Sequence, residues 1–167
     1  DLPIPPTEII GRDNDIAQVL NYVRKHRGRL VTLVGPPGVG KSRLALEIAS
    51  QFSSQACPAK FISCATIVDA AQFLPVLLSV FNIALPNADG RSAFDTLTRH
   101  LRDQHMLIVL DNLEQLLGQD TVPRQIANVL AACPRLYLVA TSREALQIRA
   151  EQVLAVQPLS ARHAVAL

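Results

Sequence analysis

At 167 residues the chain is long enough for one domain with a substantial core, since a chain near this size hides roughly two thirds of the surface it exposes unfolded. With 49% hydrophobic and 18% charged residues it lacks the composition of a long disordered tail. Its apolar runs of about five residues are far too short for the roughly 20 that span a bilayer. A formal charge of +2, with no Lys/Arg run beyond "VRKHRGR", argues against a nucleic-acid surface built on charge. The expectation is a soluble, cytoplasmic protein without a membrane partner.

Short β-rich runs alternate with longer helical patterns, the arrangement that gives a parallel sheet with helices on both faces. A first helix is predicted over 13–26, with Ile16, Val19, Leu20 and Val23 on one face and Gly28 ending it. The first strand is "RLVTLV" (29–34). A glycine-rich turn leads to a helix over 41–53 that turns Leu44, Ala45, Ile48, Ala49 and Phe52 inward, and "KFISC" (60–64) is the second strand. Helices near 69–82 and 91–103 follow, separated by the turn "PNADG" (86–90). Pro75 requires the former either to start late or to bend. "MLIVL" (106–110) is the third strand, with a short helix from "LEQLL" to Gly118; a helix over 122–133 precedes the fourth strand, "LYLVA" (136–140), and "QVLAV" (152–156) is the fifth. Strands one, three and four are almost wholly apolar, as the centre of a sheet covered on both faces demands.

"GPPGVGKS" (35–42) has two glycines five apart followed by Lys and Ser, the pattern of a phosphate-binding loop. It falls between a buried strand and an amphipathic helix, the context the motif requires. Gly35, Gly38 and Gly40 let the backbone curl its N–H groups towards an anion, with Pro36, Pro37 and Val39 between them and Arg43 just beyond. Lys41 is placed to reach the β and γ phosphates from an exposed position, and the Ser42 hydroxyl to ligate Mg²⁺. Asp111, at the end of the third strand, is the second candidate for the magnesium. Asn112 has a structural reason of its own: with Gln115 three residues on it can form a capping box. Glu114 reads as a helix-start carboxylate and not as a general base. "ATSRE" (140–144) follows strand four, so Thr141, Ser142 and Arg143 should emerge at the same sheet edge, where an arginine can contact a γ-phosphate. Cys57, Cys64 and Cys133 lack metal spacing and read as buried reduced thiols, and His26, His100, His105 and His163 are scattered, so no metal cluster is expected.

"IIGRDNDIAQVL" (9–20), the loop at 35–42, "LIVLDNLEQLL" (107–117) and "LVATSRE" (138–144) come in the order and approximate spacing of the STAND class of signal-transduction ATPases. The chain therefore resembles these relatives of the NB-ARC and AAA+ domains, and most of all bacterial transcriptional regulators with a central ATPase of this kind. The resemblance implies a three-layer α/β fold of the P-loop NTPase type with a parallel five-stranded sheet in the order 5-1-4-3-2. It implies that Ile9, Ile10, Gly11 and Arg12 lie against adenine, partly through backbone groups, and that Arg143 senses the γ-phosphate. The cofactors it implies are ATP or ADP with Mg²⁺, with an ADP-bound resting state and nucleotide-dependent homo-oligomerisation. Residues 1–157 form the nucleotide-binding domain on this reading. "VQPLSARHAVAL" looks like the start of a helical subdomain, from 158 onward, cut from a larger polypeptide whose other domains would contact DNA.

The expected function is a nucleotide-dependent regulatory switch with slow ATPase activity at most. An AAA+ motor or replication initiator is the alternative, but normally needs an acidic residue where Asn112 stands. A GTPase lacks its Asn-Lys-x-Asp motif here, and a small-molecule kinase is disfavoured by the upstream "GR" helix and the lack of an arginine-rich lid.

Overall fold

The computed structural model describes residues 2–4, 9–25, 28–54, 56–84, 92–118 and 120–159. Helix α1 (Asp13–Lys25) leads to strand β1 (Leu30–Val34), helix α2 (Lys41–Phe52) and strand β2 (Ala59–Ser63). A 3₁₀ turn (Ala70–Gln72), helices α3 (Phe73–Val80) and α4 (Ala93–Leu101) and strand β3 (Met106–Asp111) follow. A second 3₁₀ turn (Leu113–Leu116), helix α5 (Thr121–Ala132), strand β4 (Leu136–Ser142) and strand β5 (Glu151–Ala155) complete the chain. The turn expected at 86–90, His26, His163 and most of the expected helical start after 158 lie outside the described residues.

All four strand pairings are parallel, and the order β2-β3-β4-β1-β5 is the expected 5-1-4-3-2 order read from the other edge. Side chains alternate across each strand, which is why two cores form. Val31 and Leu33 of β1, Leu107 and Val109 of β3 and Val139 of β4 pack on one face with Ile16, Val19 and Val23 of α1 and Leu44, Ile48 and Ala49 of α2. Leu30, Ile108, Leu110, Leu136 and Leu138 face the other way, onto Phe73, Leu77 and Leu78 of α3, Leu97 and Leu101 of α4, and Ile126, Val129 and Leu130 of α5. β1, β3 and β4 are the three inner strands, in keeping with their apolar sequences.

Several boundaries differ from the sequence expectation for local reasons. Asp69 accepts a hydrogen bond from the Ala71 amide and starts a 3₁₀ turn, so α3 begins only at Phe73. Pro75 thus sits in the opening turn, where its missing N–H has no helical partner to lose; Pro123 sits likewise in α5. Helix α4 starts two residues later than expected because Ser92 and Asp95 form a capping box, with the Asp95 amide donating to Ser92 Oγ at 3.1 Å. β4 runs two residues further than expected and takes Thr141 and Ser142 into the sheet, paired with Leu33 and Val34.

Phe73 is fully buried at the head of α3, so Phe73→Ala should cost about 3–5 kcal/mol in urea denaturation, against less than about 0.5 kcal/mol for Val153→Ala on the exposed edge strand. Equal costs would contradict the packing described.

Candidate functional site

The parallel sheet points every strand the same way, so the segments that leave β1, β3 and β4 emerge at one edge. The loop after β1 is shaped by its glycines. Gly38 and Gly40 have φ of 79° and 97°, a left-handed backbone that side chains with a Cβ rarely adopt, and an added Cβ would meet nothing within 4 Å at either. Gly35 is constrained differently: a Cβ there would come 2.9 Å from the Val156 carbonyl oxygen, which follows β5. Pro36 and Pro37 are exposed on the loop, Ser42 and Arg43 are half-buried in the first turn of α2, and Arg43 keeps Nη2 buried without a hydrogen-bond partner.

Lys41 does not stand exposed as expected. It is only 7% accessible, because its chain folds back under the loop and Nζ donates to the carbonyls of Gly35 at 2.8 Å and Pro36 at 3.0 Å. Arg12 is held the same way. Its Nη2 donates 2.9 Å to the Val39 carbonyl while Nη1 pairs with Asp15 at 3.1 Å, and it is 6% accessible. The segment before α1 is thereby fastened to the phosphate loop by a side chain, with Gly11 bending the backbone (φ 72°) just before it. Ile9 and Ile10 are half-buried, and Ile9 packs against the core between α1, α2 and the sheet.

Asp111 ends β3 with 4% accessibility. Thr141 Oγ1 donates to its Oδ1 at 2.6 Å, Asn112 Nδ2 donates to its Oδ2 at 3.1 Å, and the Asn112 amide donates back to Thr141 Oγ1 at 2.9 Å. The hydroxyl thus donates and accepts at once, fixing the carboxylate across the β3–β4 boundary. The expected capping box does not form. Asn112 adopts a left-handed backbone, φ 61° and ψ 56°, and makes no side-chain cap, while the Gln115 amide donates to the Ala65 carbonyl at 3.0 Å instead. Asparagine is among the few residues with a Cβ that enter this conformation readily. Nearby, the Cys64 backbone amide donates to the Asp111 carbonyl at 2.8 Å, and burial, reinforced by the Asp111 carboxylate, pushes its thiol up to about 12. All three cysteines are buried free thiols, as expected.

Arg143 leaves the sheet after β4 with its side chain 63% exposed, and its Nε lies 3.8 Å from Glu114 Oε1. The segment that follows is pinned, since the Glu151 carboxylate accepts from the amides of Leu146 at 2.8 Å and Gln147 at 2.9 Å.

These residues suit a magnesium nucleotide on physical grounds. A buried carboxylate costs free energy unless a positive charge answers it, and both Asp111 oxygens are met only by neutral donors, with no cation paired to them among the described residues. No trio of His, Cys, Asp or Glu capable of holding a metal occurs among the described residues, which fits an ion bound through one or two protein ligands plus phosphate oxygens. A groove of about 710 Å³ opens elsewhere, between α5 and the segment 144–150, and no residue of the phosphate loop lines it. Phosphate recognition by backbone N–H groups at a helix start needs no enclosed cavity, so the chemistry and not the groove locates the site.

Sequence reasoning placed Thr141 at this edge without assigning it a task. Its one signal was a hydroxyl at the end of a buried apolar strand beside the Asp111 strand. Thr141→Val should leave Asp111 Oδ1 and the Asn112 amide without their shared partner and cost about 1–3 kcal/mol in chemical denaturation. Thr141→Ser should restore most of it; equal losses for both would show that the methyl group and not the hydroxyl matters.

Residues 8–139 match the AAA ATPase domain family. An uncharacterized protein of Mycobacterium tuberculosis is 38% identical over 156 residues, which are 92% of this chain and 38% of that protein. A second protein of that organism, named "Putative HTH-type transcriptional regulator", is 39% identical over 127 residues, 75% of this chain and 14% of that one. The chain therefore spans well under half the length of the curated relatives it matches. Among solved structures, the Aeropyrum pernix ORC1 protein in complex with DNA superimposes with a TM-score of 0.71 at 16% identity, over 95% of this chain and 48% of that one. The crystal structure of Cdc6p from Pyrobaculum aerophilum gives 0.65 at 21%, with the same coverage of 95% and 48%. These likenesses show a shared fold. With a match over most of its length, on a five-stranded parallel sheet that gathers the glycine loop, Asp111 and Arg143 at one edge, this chain belongs to the AAA ATPase domain family.

Proposed function

We propose that the chain is the nucleotide-responsive part of a STAND-class regulatory switch, which binds ATP or ADP with Mg²⁺ and relays which one is bound to other parts of a longer protein that controls transcription. The backbone N–H groups of the loop at 35–42 take the phosphates, Lys41 leaves its two loop carbonyls to meet the β and γ oxygens, and Ser42 and Asp111 hold the magnesium. Magnesium supplies charge neutralisation of the phosphates when bound. Thr141 keeps the Asp111 carboxylate in one orientation for that task. Arg143 distinguishes ATP from ADP, and the segment 9–12, fastened by Arg12 to Val39, forms one side of the adenine site.

The observation that carries the switch over a motor is Asn112. Its left-handed backbone and the hydrogen bond that its Nδ2 donates to Asp111 Oδ2 put a structural residue where a motor needs a carboxylate. The name of the 39% identical relative supports a part in transcription. With a formal charge of +2, DNA contact falls to domains outside this sequence. The alternative of an AAA+ motor or replication initiator draws on the AAA ATPase family match and on fold likeness, but lacks the acidic residue at 112 that such a motor normally needs. No helix among the described residues is long and apolar enough to cross a membrane, in keeping with the proposed cytoplasmic setting. Nucleotide-dependent homo-oligomerisation is part of the same proposal.

Titration calorimetry with Mg-ATP and Mg-ADP tests the binding claim. Lys41→Ala should abolish binding of both. Because Lys41 is buried and ties two loop carbonyls, a thermal melt must show the fold intact, and Lys41→Met, which keeps the stem, serves as the second variant. Arg143→Ala should weaken ATP by tenfold or more, the loss of a charge-assisted hydrogen bond worth roughly 1.5–3 kcal/mol, and leave ADP nearly unchanged. Unaltered binding in both lysine variants would end the phosphate-loop claim.

ATP turnover should be very slow, since a general base contributes roughly 10²- to 10⁴-fold and position 112 offers an amide. Asn112→Gly should keep the left-handed backbone, which glycine enters freely, and lose only the side-chain donor to Asp111 Oδ2, at about 1–3 kcal/mol, whereas Asn112→Glu meets about 1–2 kcal/mol of backbone strain before any gain in rate. Rapid turnover of the unmodified chain that survives Asn112→Gly would identify an engine and not a switch.

A further inference from the structure

Glu114 shares the mouth of the site with Arg143, yet it is held by different forces. Its turn is anchored on both sides by Leu113 and Leu116, which are 0% and 3% accessible, and by the hydrogen bond from Gln115 to the Ala65 carbonyl. The left-handed Asn112 sets the direction in which that turn leaves β3. One carboxylate oxygen, Oε2, is buried without a hydrogen-bond partner, and the side chain as a whole is 21% exposed. The turn that carries the carboxylate is therefore anchored, and the side chain on it is mostly buried. Arg143, 63% exposed and reaching Oε1 only at 3.8 Å through Nε, is the more exposed member of the pair.

We infer that Glu114 sets the preference of the site for ATP over ADP, by competing with the terminal phosphate for Arg143. The inference rests on the reading of Arg143 as the residue that meets that phosphate. A carboxylate beside the arginine acts in two ways, and both have the same sign. It offers the guanidinium an anionic partner whichever nucleotide is present, so that meeting a γ-phosphate requires giving up the contact. It also adds a like charge near the oxygens that only ATP carries. Half-exposed ion pairs are weak, and this one is long, so the contact biases the choice without locking it. Glu114 is thus a positioning residue acting through Arg143. The arrangement disfavours ATP relative to a site lacking the carboxylate, which suits a protein that should respond only when ATP is abundant.

The test is a double-mutant cycle in the full chain, read as the ratio of ATP to ADP affinity by titration calorimetry, with thermal melts for every variant. Glu114→Gln should raise ATP affinity about two- to fivefold and leave ADP unchanged, and Glu114→Ala, which removes both oxygens, should do the same. In an Arg143→Ala background the gain from either substitution should shrink to the small part left by direct charge repulsion, and an undiminished gain would overturn the competition. If Arg143→Ala lowers ATP selectively while Glu114→Gln changes nothing, the sensor stands and the competition is wrong. If Arg143→Ala changes both nucleotides equally, the sensor reading itself fails and this inference falls with it. A Glu114→Gln chain whose turnover collapses while its ATP and ADP affinities hold would make Glu114 a base, which overturns the inference as well.

Discussion

β4 lies between the strand that carries the phosphate loop and the strand that carries Asp111, and one hydroxyl on it settles how their ends are joined. Thr141 Oγ1 donates to the Asp111 carboxylate at 2.6 Å and accepts from the Asn112 amide at 2.9 Å, so the last residue of β3 and the first beyond it are both referred to β4. The register adds the third partner: Thr141 pairs with Leu33 and Ser142 with Val34, the last residues of β1 before the loop. A shift of β4 by one residue would move the hydroxyl to the opposite face of the sheet and leave a buried carboxylate unanswered. The apolar alternation of Leu136, Leu138 and Ala140 towards one core and Val139 towards the other forbids that shift. Core packing therefore fixes a polar contact at the site's centre.

The cations of the site are engaged with main-chain oxygens to a degree that residue types alone do not suggest. Lys41 binds two loop carbonyls, Arg12 binds a third, and away from the site Arg29 binds the carbonyls of Leu130 and Cys133 at the end of α5. These acceptors lie at a helix end or in a loop without a ladder, and two of them, the carbonyls of Pro36 and Cys133, also accept from the amides of Val39 and Leu136. For Lys41 this has a functional corollary. Its ammonium is held in the curl of the loop with its stem already buried, so meeting a phosphate, as proposed, would exchange acceptors without ordering a free chain and would lower the entropy cost of binding. Arg12 makes the loop's far side stiff in the same sense, by tying Val39 to the segment before α1.

The sheet was legible because its inner strands are unbroken apolar runs and its helices carry clean 3.6-residue faces, signals that depend on burial alone. The sheet order came with the family resemblance, carried by "GR", the loop, "LDN" and "TSR" together. What escaped depends on contacts between distant residues. A capping box at Asn112 and Gln115 satisfies every local rule, yet Asn112 is placed by Asp111 and Thr141, and Gln115 by Ala65, fifty residues away. Lys41 looks like an exposed cation in sequence because the fold-back that buries it is set by the glycine conformations before it. The length of β4 was misjudged for a related reason: Thr141 and Ser142 are polar, and polar residues at a strand end read as loop unless their partners are known.

The position after Asp111 unites these lines. In a chain selected for turnover, a carboxylate there would have to stand beside Asp111 with both charges uncompensated until magnesium arrived. Here the backbone at 112 is left-handed, which disfavours glutamate, and the side chain supplies a donor to Asp111 where a carboxylate would supply repulsion. The same turn then carries Glu114 round to face Arg143. On the proposed reading, the feature that weakens water activation is also the one that brings a carboxylate to Arg143. A substitution at 112 that relaxed the turn would alter both at once, so the proposed slow turnover and the proposed nucleotide discrimination would be coupled through the geometry of a single residue.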